Sequence, residues 1–198
     1  MLARQLRPAL VLTLVLCAIT GVLYPAVITG LSQLLFPRQA NGSLVTVHGR
    51  VVGSALIGQA FTRPGYFHPR PSAAGNGYDA TASGGTNKGP TDRKLADTLI
   101  AGAVAQVVKE DAAQPGHIPA DMVTSSASGL DPDISPANAF LQVARVARAR
   151  GVDSARVRAL VDHHITGRQF GFFGEPRVNV LLLNIALDSV APVGAGLH

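Results

Sequence analysis

The hydrophobic pattern divides the chain near its start. From Pro8 to Pro37, thirty consecutive residues include no Asp, Glu, Lys, Arg or His. At about 1.5 Å of rise per residue, a helix of that length exceeds the roughly 30 Å hydrocarbon core of a bilayer. The run therefore predicts a transmembrane helix over 9–36, whose backbone groups are all bonded within the segment. Arg4 and Arg7 precede it and Arg38 follows it. That bias keeps residues 1–8 in the cytoplasm and puts 37–198 outside. A cleaved signal peptide fits less well, because its apolar core is about 7–15 residues long and ends in an A-x-A-like site. No such site closes this run, and Cys17 follows Leu16 rather than the small residue of a lipoprotein acceptor. Tyr24 and Pro25 fall mid-span, while Gly21 and Gly30 leave gaps where another helix can approach closely.

Beyond the anchor the pattern changes every ten to thirty residues. Leu44–Val47 and Val51–Ile57 are β-branched runs with a His48–Arg50 turn between them, which predicts a pair of strands. Gly53 and Gly58 mark bends there. Phe61 to Pro90 is rich in proline and glycine, so it is neither a long helix nor a central strand. It nevertheless holds Phe61, Tyr66, Phe67 and Tyr78, four of the chain's ten aromatics. Linkers are poor in aromatics, so this stretch reads as an ordered loop wrapped over the domain.

Apolar periodicity then predicts a helix over Lys94–Ala113, with Leu95, Leu99, Ala103, Val104, Val107 and Val108 on its inner side and Pro115–Gly116 ending it. A small-residue loop, TSSASGLDPD, leads to Ser135 as N-cap and Pro136 at the first helical position. That helix runs to Arg150 and turns Phe140, Val143, Ala144 and Ala147 inward, with Gly151 closing it. Asp153 caps the next, which presents Val157, Leu160, Val161 and His164, so the two form an αα-hairpin. GFFGEPR is a turn before VNVLLLNIALDSV, read as a buried helix capped by Asn179. The tail after Val190 is expected to fray. The fold class is α+β: one transmembrane helix, then one loop-rich mixed α/β extracytoplasmic domain.

Charge changes the picture only modestly. The net charge is +5, but all 12 acidic residues and 14 of the 17 Lys and Arg lie beyond Arg38, leaving the outer domain at about +2. The signs are interspersed, which argues against a nucleic-acid footprint. The single cysteine lies in the anchor, so the outer domain has neither disulfide nor thiol chemistry.

Four stretches invite a chemical reading. SGGTNKGPT (83–91) is no phosphate loop, because Lys88 precedes its glycine and Pro90 lacks an N–H. SSASG (125–129) offers a serine nucleophile without the G-x-S-x-G setting. His48, His68, His117, His163 and His164 lack metal-ligand spacing, and Asp131 with Asp133 falls short of a calcium loop. Such residues in loops are commonly turn and capping groups. No catalytic residue and no metal ligand is assigned. Ser128 and Gly129 are the residues of a nucleotide-binding alternative.

Several of these stretches together resemble the KdpC family, the C subunits of the Kdp potassium-transporting P-type ATPases. They are GSALIGQAFTRPGYFHPRPSA (53–73), SGGTNKGPT (83–91), VTSSASGLDPDISPANA (123–139), QVARVARARG (142–151) and GEPRVNVLLLNIALD (174–188), with LRPAL (6–10) ahead of the anchor. Lys88 departs from the pattern, which usually has an apolar residue there. The resemblance implies an accessory, non-catalytic subunit of the bacterial inner membrane. Its partners would be a channel-like KdpA subunit carrying K⁺, an ATP-hydrolysing KdpB subunit, a small single-span KdpF subunit and membrane lipid. It implies a role in assembly and, as a catalytic chaperone, in raising the ATP affinity of the B subunit. ATP and K⁺ are handled by the complex, with no cofactor assigned to this chain. The charge bias puts the domain on the side away from ATP, so that effect is expected to work through a conformational equilibrium. The domain is expected to dock near the ion entrance, with Tyr66, Phe67, Arg70, Asn87 and Asp131 as interface residues. The rival from another class is an anchored extracytoplasmic enzyme using Ser125–Gly129.

Overall fold

A computed structural model describes residues 2–192. The chain forms two compact units that meet in sequence between Leu44 and Val45. In the first, helix α1 (Leu2–Ala18) passes through a π-helical stretch (Ile19–Leu23) into α2 (Tyr24–Leu35). Pro25 explains the widened turn: its ring has no N–H to donate and crowds the carbonyl one turn back. From Arg4 to Leu35 the helix is 32 residues long and includes an 18-residue stretch with a mean hydropathy of 2.4, long and apolar enough to cross a membrane. It starts earlier than 9 and stops one residue short of 36, where Phe36 leaves the helical region. A short helix, α3 (Pro37–Ala40), follows, and Asn41 exchanges side-chain hydrogen bonds with Gln33 at 3.1 and 3.3 Å.

The boundary falls just inside the expected pair of strands, the hairpin β1 (Leu44–Val47) and β2 (Arg50–Ser54). His48 and Gly49 have φ of 48° and 78°, the paired left-handed geometry that suits a two-residue hairpin turn. Arg50 thus belongs to the strand, and β2 stops at Ser54, whose Oγ accepts from the Leu56 N–H. The core lies between α5 (Pro136–Arg150), α6 (Ser154–His164) and α7 (Val180–Val190). It is centred on Phe67, Ile134, Val146, Val161, Leu183 and Leu187. Ser135 Oγ accepts from the Asn138 N–H, and Asn179 Oδ1 accepts from the Leu182 N–H, so α5 and α7 are capped as expected. Gly151 closes α5 at φ 65°. Ala144 is exposed, against expectation, while Val143 and Ala147 are buried.

A small antiparallel sheet threads this core in the order β3 (Asp133–Ile134), β5 (Arg177–Asn179), β4 (Ile165–Thr166). Ile134 and Ile165 both pair with Val178. The helix expected over Lys94–Ala113 starts as a π-helical stretch (Leu95–Ile100) and continues as α4 (Ala101–Asp111). It ends at Ala112, left-handed at φ 53°, ahead of Pro115. Only Val107 of its apolar side is buried, and Leu99 is exposed. α4 is therefore a peripheral helix, packed through Val107 and tied at its end by an ion pair described below. Of the tail expected to fray, Ala191 is buried and its carbonyl accepts from Arg150 at 2.6 Å. The rest, from residue 193, lies outside the described residues.

Candidate functional site

The glycine- and proline-rich stretch 61–90 is an ordered strap, held by side chains in place of a ladder. Asn184, buried on α7, accepts from the Phe67 N–H at 2.9 Å and donates to its carbonyl at 3.0 Å. Gln142, buried on α5, does the same for His68 at 2.7 and 3.0 Å. Arg145 donates to the carbonyls of Pro64 (2.7 Å) and Tyr66 (2.9 Å), and Arg150 to that of Gly65 (2.6 Å). Five consecutive carbonyls of this irregular backbone, those of residues 64–68, thereby gain a charged or amide donor.

This arrangement corrects one expectation. Tyr66 is 4% exposed and Phe67 is 0%, so both rings are part of this domain's own core rather than of a partner interface. Arg150 stacks over the Tyr66 ring at 4.6 Å, and the hydroxyl donates to Asp188 at 3.1 Å. Burial, with the Asp188 carboxylate beside it, raises the Tyr66 pKa above the ordinary phenol range.

Arg70 and Asp131, expected separately at the interface, are brought together as a half-buried ion pair of 2.8 Å. Arg70 also accepts through its carbonyl from the Tyr78 hydroxyl, whose pKa burial pushes upward. Asn87 stands apart from them, exposed and left-handed at φ 52°. Lys88 pairs with Asp92 at 2.8 Å, which holds that carboxyl below its usual range.

The loops 83–87 and 125–129 pack backbone against backbone. Ser128 O accepts from the Gly84 N–H at 2.9 Å and from Ser83 Oγ at 3.0 Å. Gly129, at φ 66°, leaves no room for a side chain: a Cβ there would sit 2.6 Å from both Ala74 N and Gly84 O. The hydroxyls of Ser126 and Ser128 lie 3.3 Å apart, and Ser128 Oγ accepts from the Leu130 N–H. The contacts around Ser128 and Gly129 thus fasten two loops together.

His68 sits between elements. Its ring faces Glu110 (3.4 Å) on α4, Arg145 (3.5 Å) on α5 and the Arg63 carbonyl (3.1 Å). Burial first, then the Arg145 guanidinium, hold its pKa below the ordinary imidazole range, so at neutral pH the contact with Glu110 involves a neutral ring. A cleft of about 440 Å³ opens here, lined by His68, Tyr78, Leu99, Gln106, Glu110 and Met122. Among the described residues, no three His, Cys, Asp or Glu side chains come together to hold a metal.

The profile of the family described as KdpC, K⁺-transporting ATPase, c chain, matches residues 6–189. The chain belongs to the KdpC family. Potassium-transporting ATPase KdpC subunits resemble it along nearly their whole length. The one from Gemmatimonas aurantiaca is 65% identical over 189 residues, covering 95% of this chain and 94% of the relative. That of Koribacter versatilis is 52% identical over 190 residues (96% and 97%), and that of Myxococcus xanthus 60% over 179 residues (90% and 83%). The strap, the paired loops and all of α7 except Val190 fall within the matched range.

One surface feature was missed by the sequence reading, which took GFFGEPR only as a turn. Phe170, Phe172 and Phe173 are 88%, 64% and 59% exposed. The available signal was three phenylalanines crowded between glycines, too close together for one buried face of a strand or helix.

Proposed function

We propose that this chain is a non-catalytic, single-pass subunit of a potassium-transporting ATPase complex. Its N-terminus lies in the bacterial cytoplasm and residues 37–198 lie outside. The domain docks near the ion entrance of a KdpA-like subunit, alongside KdpB-like and KdpF-like subunits. It serves assembly, and raises the ATP affinity of the hydrolysing subunit by favouring one of that subunit's conformations. A partner that binds two states unequally shifts their balance without touching the ligand.

The observation carrying this reading is the family match over 6–189 on a chain with an apolar helix of 32 residues. Arg4, Arg7 and Arg38 support the orientation through the positive-inside bias. The hydrogen bonds of Ser126 and Ser128, spent within their own loop, speak against the rival serine enzyme.

The test combines topology with assembly. Ser72 is a poor labelling site, because its hydroxyl donates to Gly129 O and accepts from the N–H groups of Ala74 and Tyr78. Asn76 is exposed. An Asn76→Cys chain with Cys17→Ala should react with an impermeant maleimide in intact spheroplasts, and should co-purify with two large polytopic subunits. Labelling only after lysis would reverse the orientation and bring the domain to the side of ATP.

A further inference from the structure

We infer that the Phe170–Phe173 turn is a docking knob that inserts into an apolar pocket on another protein subunit of the transporter. This deepens the proposed function and rests on it.

The turn is built, not loose. Gln169 and Phe173 exchange both backbone hydrogen bonds at 2.9 Å, and Phe172 N–H donates to Gln169 O at 3.2 Å. Arg168 and Glu175 close its base with an ion pair of 2.7 Å. Phe172 and Phe173 lie with ring centroids 4.2 Å apart. Phe170 is held at φ 54°, a region that bulky side chains rarely adopt. A ring that is both backbone-strained and 88% exposed is not explained by this chain's own core.

The occupant follows from area and charge. At about 150–250 Å² per ring, the exposed fractions amount to roughly two rings, or about 300–500 Å². A free-standing dimer of two copies needs about 800 Å² per partner. The knob therefore suits a partner already held nearby by a second attachment, and the membrane-length helix of the same chain supplies one. A bilayer surface would recruit the turn through uncompensated cations. Here the flanking cations are spent: Arg168 is paired with Glu175 and Arg177 with Asp133 at 3.0 Å. A neutral, pre-shaped aromatic tip matches the buried anchors of protein interfaces, which lose little freedom on binding.

The experiment uses the full chain co-expressed with the other subunits. Phe170→Ser/Phe172→Ser/Phe173→Ser should lower recovery of the assembled complex by about 10-fold or more. Its own melting temperature should stay within about 3 °C, because the three rings lie outside the core. Wild-type recovery of the triple variant overturns the knob and leaves the subunit reading standing. Failure of the wild-type chain to co-purify with any transporter subunit overturns the subunit reading itself. As a second measurement, p-benzoylphenylalanine replaces Phe172 and membranes holding the complex are irradiated. The expected product is an adduct with the mass of a larger transporter subunit. Adducts to lipid alone or to a second copy of this chain, or no adduct at all, overturn the proposal.

Discussion

Arg145→Met is the most informative single substitution in the domain. The guanidinium bonds Asp111 at 2.8 Å, and the side chains of the pair are 5% and 3% exposed. It also reaches the carbonyls of Pro64 and Tyr66, and Gln142 Oε1 at 2.5 Å. Removing one partner of a buried ion pair costs about 3–5 kcal/mol, because the other charge stays desolvated. Each carbonyl left without a donor adds roughly 1–3 kcal/mol, less whatever water entry recovers. A total loss of about 4–6 kcal/mol is expected, against a typical domain stability of 5–15 kcal/mol. Urea unfolding of the full chain in detergent, followed by far-UV circular dichroism, measures it. Asp111→Leu should cost a comparable amount, and the double variant less than the two together, with a coupling of about 2 kcal/mol. A loss below about 1 kcal/mol in Arg145→Met would refute the claim that this arginine holds strap and α4 together.

Gly129→Ala should destabilise the chain by roughly 2 kcal/mol or more, since its Cβ meets backbone atoms of both neighbouring loops at 2.6 Å; a melting curve within 2 °C of wild type would contradict the packing. His68 has a folded pKa below the ordinary imidazole value of 6.5, so the unfolded chain binds more protons in the window beneath 6.5. Stability should therefore fall as pH drops through that window and be fully present above it, and His68→Gln should flatten the slope. Ser126→Ala and Ser128→Ala should leave K⁺-stimulated ATP hydrolysis by the complex within a few-fold of wild type; a loss of about 10³-fold with the complex intact would restore the serine-enzyme reading.

Where the sequence was legible, the cause was local. Ser135 with Pro136, Gly151, Asp153 and Asn179 set helix ends through bonds to residues a few positions away, and each stands where the pattern placed it. The long apolar helix was legible because its length and apolarity lie in one unbroken run. The three-stranded sheet was not, since strands of two or three residues are too short to show alternation. Nor was the π-helical start at Leu95–Ile100. Tyr66 and Phe67 were placed at a surface because aromatic type serves core and interface equally. Their burial depends on Asn184 and Gln142, which lie 117 and 74 residues from the strap positions they bond. Nothing in the sequence near either ring carries that information.

The two sides of α5 explain how the strap and the core come to share one helix. Ala139, Val143, Val146 and Ala147 make the apolar stripe packed in the core. Beside it runs a second stripe, Asn138, Gln142 and Arg145, at the i, i+4, i+7 spacing of a buried helix face. All three are buried, yet all are polar. Read by pattern alone they form the solvent side. Instead Gln142 donates to Asn138 Oδ1 at 2.7 Å, Asn138 donates to Asp121 at 2.9 Å, and Gln142 and Arg145 reach across to the strap. A strap so fastened has no ordering left to do when a partner arrives. The cost of fixing its backbone, about 1–2 kcal/mol per residue, falls on folding of the domain rather than on assembly. The domain is therefore a pre-shaped body, with its exposed aromatic side chains concentrated in the Phe170–Phe173 turn instead of in the strap.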